Sequence, residues 1–255
     1  MKKYNVPALE KAMAILELLD KSELELTVTE IHTQLDIPKA TTFMILNVLE
    51  NYRVVRKSSH GRYSLGPKIY TLGMSYMTKM DLKKVAKPYL DQLTNKTKFT
   101  SHLGVMDSNG ILFIAKVEIP SFIKFSTFPG MRSQLHNTSM GKAILANLPD
   151  EEIEQIVDTI ELGRYTPNTI TDKTKFKEVL KRIKETGYAV EDEEGEIGVR
   201  CIGAPIFDID NKVIAAVSIT ALKADLPVDL FQEVGNKVMD IARKISTDLG
   251  HNFKD

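Results

Sequence analysis

Cys201 is the only cysteine in the chain and the nearest thing in it to a reactive group. With His102 and His136 it could form a thiol nucleophile and its base, and Glu191 extends the set to metal-ligand chemistry. The context argues against both. Cys201 lies in the apolar run VRCIGAPIF, a setting that raises a thiol's pKa instead of activating it. The four residues are dispersed and lack the tight spacing of a metal site. No nucleophile elbow, phosphate loop or paired-carboxylate motif is present, so the residues point away from an enzyme and call for no metal and no cofactor. The chemistry that remains is binding, and it falls in two places.

The first is the stretch DIPKATTFMILNVLE, Asp36 to Glu50. Pro38 disfavours helix at the residue before it and suits the start of a new one. In the helix that follows, Thr42, Ile45, Leu46 and Leu49 share a stripe at i, i+3, i+4, i+7 spacing, which predicts an inward face. Lys39, Ala40, Thr41, Phe43 and Met44 are left facing out. Lys39 and Thr41 suit phosphate or base contacts, and Phe43 and Met44 suit thymine methyls in a major groove. The alternative for Phe43 is to turn inward and complete the core. Thr27, Thr29, Thr42 and Asn47 complete the candidate set around these two helices. Immediately downstream, YRVVRKSSHGRYSLG reads as two β-prone arms around the turn SSHG, with Arg53, Arg56, Lys57 and Arg62 placed to neutralise phosphates.

The second place is the C-terminal two thirds of the chain. TSMGKA sets small polar residues and a glycine at a helix start, where free backbone N–H groups favour an anion, although an ordinary helix cap reads the same way. Glu191, Cys201, Ser218 and Thr220 are further candidates. Cys201, Ser218 and Thr220 interrupt apolar strand runs, and Ser218 and Thr220 share a face by period two. Polar side chains on an inward face need partners, and a small polar ligand would supply them.

Charge agrees with this division. The chain has 255 residues, is 43% hydrophobic and 27% charged, and has zero net charge. Between Ile37 and Lys68, however, six basic residues stand against Glu50 alone, while residues 81–255 carry 23 basic and 26 acidic side chains. That pattern confines a polyanion partner to one region. A single cysteine permits no internal disulfide and fits a reducing cytoplasm. Glu10, Lys11 and Glu17 interrupt the N-terminal segment, so it does not read as a signal peptide, and no apolar run reaches the ~20 residues that cross a bilayer.

The elements that must position these groups follow from periodicity. Residues 7–20 show the spacing of an amphipathic helix through Leu9, Ala12, Ile15, Leu16 and Leu19. Thr27 with Glu30 is a capping-box signature opening a second helix that runs to about Leu35. Three helices and a basic hairpin predict a winged helix-turn-helix. A linker helix follows from Lys68 to about Lys79, and a further helix over residues 81–96 that Pro88 could bend. Strands are predicted over residues 100–107, 111–118, 122–128, 199–207 and 213–220. Helices are predicted over 139–148, 150–159, 173–186 and 228–249. The second part is therefore α+β, with an antiparallel sheet and helices packed on it.

With its ordered motifs ALEKAMAILELLD, IPKATTFMILNVLE, GRYSLGPKIYTLG, HNTSMGKAIL, TITD, GYAVEDEE, GVRCIGAPIFD and KVIAAVSIT, the chain resembles the IclR family of bacterial transcription regulators over essentially its whole length. Within that family the regulators of sugar-acid and pectin breakdown look nearest. The resemblance implies a winged helix-turn-helix over residues 1–66, a linker helix over 67–80 and a GAF-like effector-binding and oligomerisation domain over 81–255. It implies a homodimer or homotetramer bound to a pseudo-palindromic site on double-stranded DNA, repression in most members, and no membrane partner. It also implies a small carboxylate-bearing effector over the sheet, at the positions of Ser139, Met140, Gly141, Glu191, Cys201, Ser218 and Thr220. A sensory module that signals by protein contact alone is the remaining alternative, and the basic wing argues against it.

Overall fold

α1 (Pro7–Lys21) starts on a proline, whose fixed φ suits a first helical turn. The computed structural model describes residues 6–79, 81–108 and 110–253. In this structure the chain forms two compact units, Met1–Met80 and Asp81–Asp255.

In the first unit α1 is followed by a two-residue strand, β1 (Leu26–Thr27), then α2 (Val28–Leu35) and α3 (Lys39–Asn51). The capping box is formed: Glu30 N–H donates to Thr27 Oγ1, and Thr27 N–H donates to the Glu30 carboxylate. Asp36 ends α2 in the left-handed region at φ 51°, with its N–H on His32 O, which turns the chain sharply into α3. Ile15, Leu19, Ile31, Ile37 and Leu46 meet at the centre with Val55 and Tyr63 of the hairpin. Thr42 belongs to this core. It is fully buried, and its hydroxyl donates to Ile37 O and Pro38 O at 3.4 and 3.3 Å. Leu9, expected on the inner stripe of α1, faces solvent instead, because it sits one turn from the helix start, beyond the reach of the core.

The wing is β2 (Val55–Lys57) and β3 (Arg62–Leu65), antiparallel, with Gly61 at φ 73° in the turn. β1 adds a third strand on the other side of β3, giving the order β1-β3-β2. Two residues are too few to show a strand period, so this strand was not legible in sequence. α4 (Pro67–Lys79) closes the unit and covers the expected linker helix.

The second unit opens with α5 (Leu82–Thr97), which Pro88 does not interrupt. Next come β4 (Thr100–Asp107), β5 (Gly110–Val117) and β6 (Arg132–Gln134), then α6 (Ser139–Leu145), α7 (Asp150–Thr159) and α8 (Lys173–Thr186). β7 (Ala189–Asp192), β8 (Val199–Phe207), β9 (Val213–Leu222), a 3-10 turn at Val228–Leu230 and α9 (Phe231–Asp248) complete it. The six strands form one antiparallel sheet in the order β6-β5-β4-β9-β8-β7. The pleat sorts the side chains. Ser101, Leu103, Val217 and Ile219 point to the α5 and α9 side, where Ser101 Oγ donates to Leu90 O of α5. His102, Ser218, Gly203, Cys201 and Thr220 point to the α6 side. There a Cβ on Gly203 would stand 2.9 Å from the Ser139 carbonyl carbon, so only glycine lets α6 approach so closely.

Three expected element boundaries or assignments are also corrected. The stretch 122–128 is an irregular segment, not a strand: Pro120 and Pro129 bracket it, and the sheet edge beside β5 is taken by β6, with Gly110 opposite Gln134. α6 ends at Leu145, three residues early. The last helix begins at Phe231, because the preceding turn is 3-10. The expected turn residue Asn109 lies outside the described residues.

Core burial in the first unit generates a contrast. Leu46→Ala removes a fully buried side chain and should lower the unfolding free energy by about 2–5 kcal/mol. Met44→Ala, two residues away on the open face, should change it by about 0.5 kcal/mol or less. Urea denaturation followed by circular dichroism measures both.

Candidate nucleic-acid interface and ligand cleft

The inward anchoring of Thr42 and Leu46 fixes which side chains of α3 face out. Lys39 and Ala40 are exposed in its first turn, Thr41 and Asn47 are half-buried, and Phe43 and Met44 are 46% and 60% exposed. Phe43 therefore does not complete the core. Thr42 is corrected in the opposite sense: a fully buried side chain with a committed hydroxyl has nothing to offer a duplex. Val48, unremarked in the sequence, continues the exposed face one turn beyond Met44. Thr29 is exposed on α2, whereas the Thr27 hydroxyl is spent in the capping box.

The basic hairpin divides as well. Arg53, Arg56 and Lys57 are exposed, and Arg56 is oriented by Nε on Ser64 Oγ at 2.9 Å. Arg62 turns back: its Nη1 donates to Glu25 O at 2.6 Å and lies 3.3 Å from the Glu30 carboxylate. It clamps the wing to the start of α2 and is not a free phosphate ligand. The Thr27 N–H, then its hydroxyl, then Arg62 hold the Glu30 carboxyl below its usual range.

In the second unit a cleft of about 450 Å³ opens on the α6 face of the sheet. Glu191, Cys201 and Thr220 line it together with Thr127, Asn137 and Tyr165. Cys201 and Thr220 are cross-strand partners, their Sγ and Oγ1 3.3 Å apart, and Glu191 pairs with Cys201 on its other side. Glu191 is 3% exposed, and its Oε1 accepts the N–H groups of Glu194 and Gly195 at 2.6 and 2.9 Å. Burial pushes its carboxyl above the usual range against those bonds. Burial also pushes the Cys201 thiol well up, and the neighbouring Glu191 charge adds to this. Cys201 is thus held as a neutral thiol between Thr220 and Glu191, which argues against the nucleophile reading.

Ser139, Met140, Gly141 and Ser218 are brought near but do not line the cleft. All are buried between α6 and the sheet or the chain beside it. The Gly141 N–H is taken by Thr138 Oγ1 at 3.1 Å, and a Cβ there would collide with Leu135, so this glycine serves packing, not approach of an anion.

The loop after β7 is fixed by residues whose role the sequence did not reveal. Lys142, fully buried on α6, donates to Val190 O at 2.6 Å and pairs with the Glu194 carboxylate. Thr166 and Thr169 hydroxyls donate to the carbonyls of Glu193 and Glu194, each at 2.6 Å. On a sequence, a lysine in a helix's last turn reads as a solvated side chain; only the apolar residues around it hinted at burial. Beneath Thr127 and Thr220, His102 is fully buried: its Nε2 shares a hydrogen bond with Thr127 Oγ1 at 2.8 Å, and its Nδ1 lies 3.5 Å from Thr220 Oγ1. Lys116 Nζ donates to Phe125 O at 2.8 Å, so both side chains tie the 121–131 segment over the sheet. Among the described residues no three His, Cys, Asp or Glu side chains come together as a metal site, and no helix is long and apolar enough to cross a membrane.

A helix-turn-helix with a basic wing, followed by a sheet unit with a polar cleft, is the plan of a bacterial transcription regulator. Comparison with known proteins makes the class specific. Residues 8–59 match the IclR helix-turn-helix domain and residues 74–247 the bacterial transcriptional regulator IclR C-terminal domain. The chain is 34% identical over 244 residues to the HTH-type transcriptional repressor AllR of Escherichia coli, covering 95% of this chain and 90% of that one. It is 32% identical to the Thermotoga maritima IclR structure, with a TM-score of 0.65 over 95% of this chain and 98% of that one. The Agobacterium tumefaciens repressor BlcR, at 23% identity, shares the fold with a TM-score of 0.87 over 96% of this chain and 98% of that one. The chain belongs to the IclR family of transcriptional regulators, which are not enzymes.

His102 generates a prediction of pH dependence. Burial first, then the nearby Lys116 ammonium, lower its pKa from 6.5 to about 3. A depressed histidine is neutral in the fold while the unfolded chain takes up a proton below about pH 6.5. Its contribution to stability is complete above that pH and is lost progressively as pH falls towards 3, at about 1.4 kcal/mol per pH unit. Between pH 7.5 and 5.5 the wild type should therefore lose about 1.4 kcal/mol more than His102→Gln, as measured by denaturant titration at each pH.

Proposed function

We propose that this regulator is a repressor that reads DNA with the front of α3 and is controlled by a small hydroxylated organic acid bound in the cleft. The observation that carries the DNA reading is the outward face of Lys39, Ala40, Phe43 and Met44 on a helix whose Thr42 and Leu46 are buried. A helix of this kind fits a major groove, and its front residues meet base edges. Phe43 and Met44 offer apolar contact to thymine methyls and favour A·T-rich positions. Lys39, Arg53, Arg56 and Lys57 supply the sequence-independent, salt-sensitive part. Two copies in a homodimer or homotetramer would occupy half-sites about 34–36 Å apart on a pseudo-palindromic operator.

The control site is the cleft bounded by Glu191, Cys201 and Thr220. Hydroxyls of the effector would face the Glu191 carboxylate and Thr220. The effector shifts operator affinity only by its preference for one arrangement of the reading heads, and α4 is the segment through which that preference would pass. A coupling of ~1–3 kcal/mol changes operator affinity by about 5–150-fold. Repression agrees with the name of the AllR relative, and the wing argues against signalling by protein contact alone.

The test is genomic footprinting of the purified full chain, then gel shifts on a recovered site at several salt concentrations. Arg56→Ala should weaken binding to all sequences alike and reduce the salt slope by about 1. Met44→Ala should cost about 1 kcal/mol at one A·T pair and leave the slope unchanged. No shift of any promoter fragment at low ionic strength would overturn the DNA reading.

A further inference from the structure

The cleft holds one side chain that none of the family motifs used above contributes as a ligand. Asn137 lies between β6 and α6, is 5% exposed and forms part of the cleft wall. Its Oδ1 is buried and meets no hydrogen-bond donor among the described residues. Buried side-chain oxygens are ordinarily paired, and leaving one unpaired opposes folding. The amide is hemmed in. From Gly195, where a Cβ would stand, Asn137 O lies at 3.3 Å, Asn137 Nδ2 at 3.8 Å and Glu191 Oε1 at 3.9 Å. The loop after β7 therefore presses Asn137 and Glu191 into one corner.

That corner is poor in free positive charge. The lining residues that carry formal charge are Glu191, Glu196 and Arg132, and Arg132 Nε donates to Asp107 at 2.8 Å. The nearby Lys142 ammonium is committed to Val190 O and Glu194. A ligand end made only of carbonyl or carboxylate oxygens has no hydrogen to give the Asn137 oxygen. One bearing hydroxyl or amide hydrogens would satisfy the Asn137 oxygen.

We propose that Asn137 is a specificity-determining residue of this cleft and selects an effector that offers a hydrogen-bond donor, hydroxyl O–H or amide N–H, over acids that carry none. This rests on the reading of the cleft as the effector site. It also predicts that Asn137→Leu, which removes an unpaired oxygen at similar volume, leaves the melting temperature of the ligand-free protein unchanged or raised.

The experiment is calorimetry on the full chain with D-glycerate and D-gluconate as donor-bearing probes, and succinate and glutarate as acids without donors near neutral pH. The hydroxy acids should bind at least about 10-fold more tightly, and Asn137→Leu should erase about that factor while leaving the dicarboxylates unaffected. Asn137→Ala serves as a second variant if the leucine disturbs packing. Equal binding of the dicarboxylates, or no binding of either hydroxy acid, overturns the proposal, as does a lower melting temperature for both Asn137 variants. Thr220→Val separates the two levels. If it weakens the hydroxy acids and the Asn137 variants do not, the cleft reading stands and the role of Asn137 falls. If neither weakens a probe that the wild type binds, both fall.

Discussion

The burial of Thr42 and Leu46 under α3 is the constraint on which the DNA-reading unit depends. A helix can turn only one stripe inward, and once those two positions are in the core the pitch dictates what remains outside. The Thr42 hydroxyl makes that choice firm, because it bonds the carbonyls of Ile37 and Pro38 in the turn before the helix. The same contact fixes the angle at which α3 leaves the turn. The large apolar side chains of Phe43 and Met44 stay at the surface because the core behind them is already filled by Ile15, Ile31 and Leu46. Exposure of large apolar side chains beside basic residues is costly in water and useful in a groove.

In the second unit the equivalent constraint is the pleat. Adjacent strands in register place Glu191, Cys201 and Thr220 in one row and Gly203, Ser218 and His102 in the next, all on one face. The glycine of the second row lets α6 descend onto the sheet, which buries Ser139, Met140 and Ser218 there and leaves the first row open. Cleft and packed interior are thus two neighbouring rows of one surface, separated by the absence of a single Cβ.

Much of the architecture was legible because it rests on period and punctuation. The amphipathic stripe of α1 apart from Leu9, the Thr27–Glu30 capping box, the break at Asp36-Ile37-Pro38 and the SSHG turn are local signals, and each formed where it was read. The errors have local causes too. The 122–128 stretch has strand-like residues but no neighbour to pair with, and β1 has a neighbour but too few residues to signal it. Among the candidate ligand residues on the strands β8 and β9, Cys201 and Thr220 line the cleft and Ser218 does not, although all three are small polar residues in apolar runs. Small polar residues in apolar runs mark a partly polar interior, and nothing in the run says which of them reach open space.

The sequence by itself determined that the chain carries a helix-turn-helix with a basic wing and an α+β unit behind it, since those follow from spacing, capping and charge within short windows. Only the tertiary structure decided that the Thr42 hydroxyl is spent on the turn before α3, that Arg62 turns back onto Glu25 and Glu30, that Lys142 is a buried cation pinning the loop after β7, and that the Asn137 Oδ1 meets no donor among the described residues. The physical reason is the same in each case. A side chain's burial and partners are set by residues distant in sequence, such as Glu25 for Arg62 and Glu194 for Lys142, and no local pattern encodes where those residues will arrive.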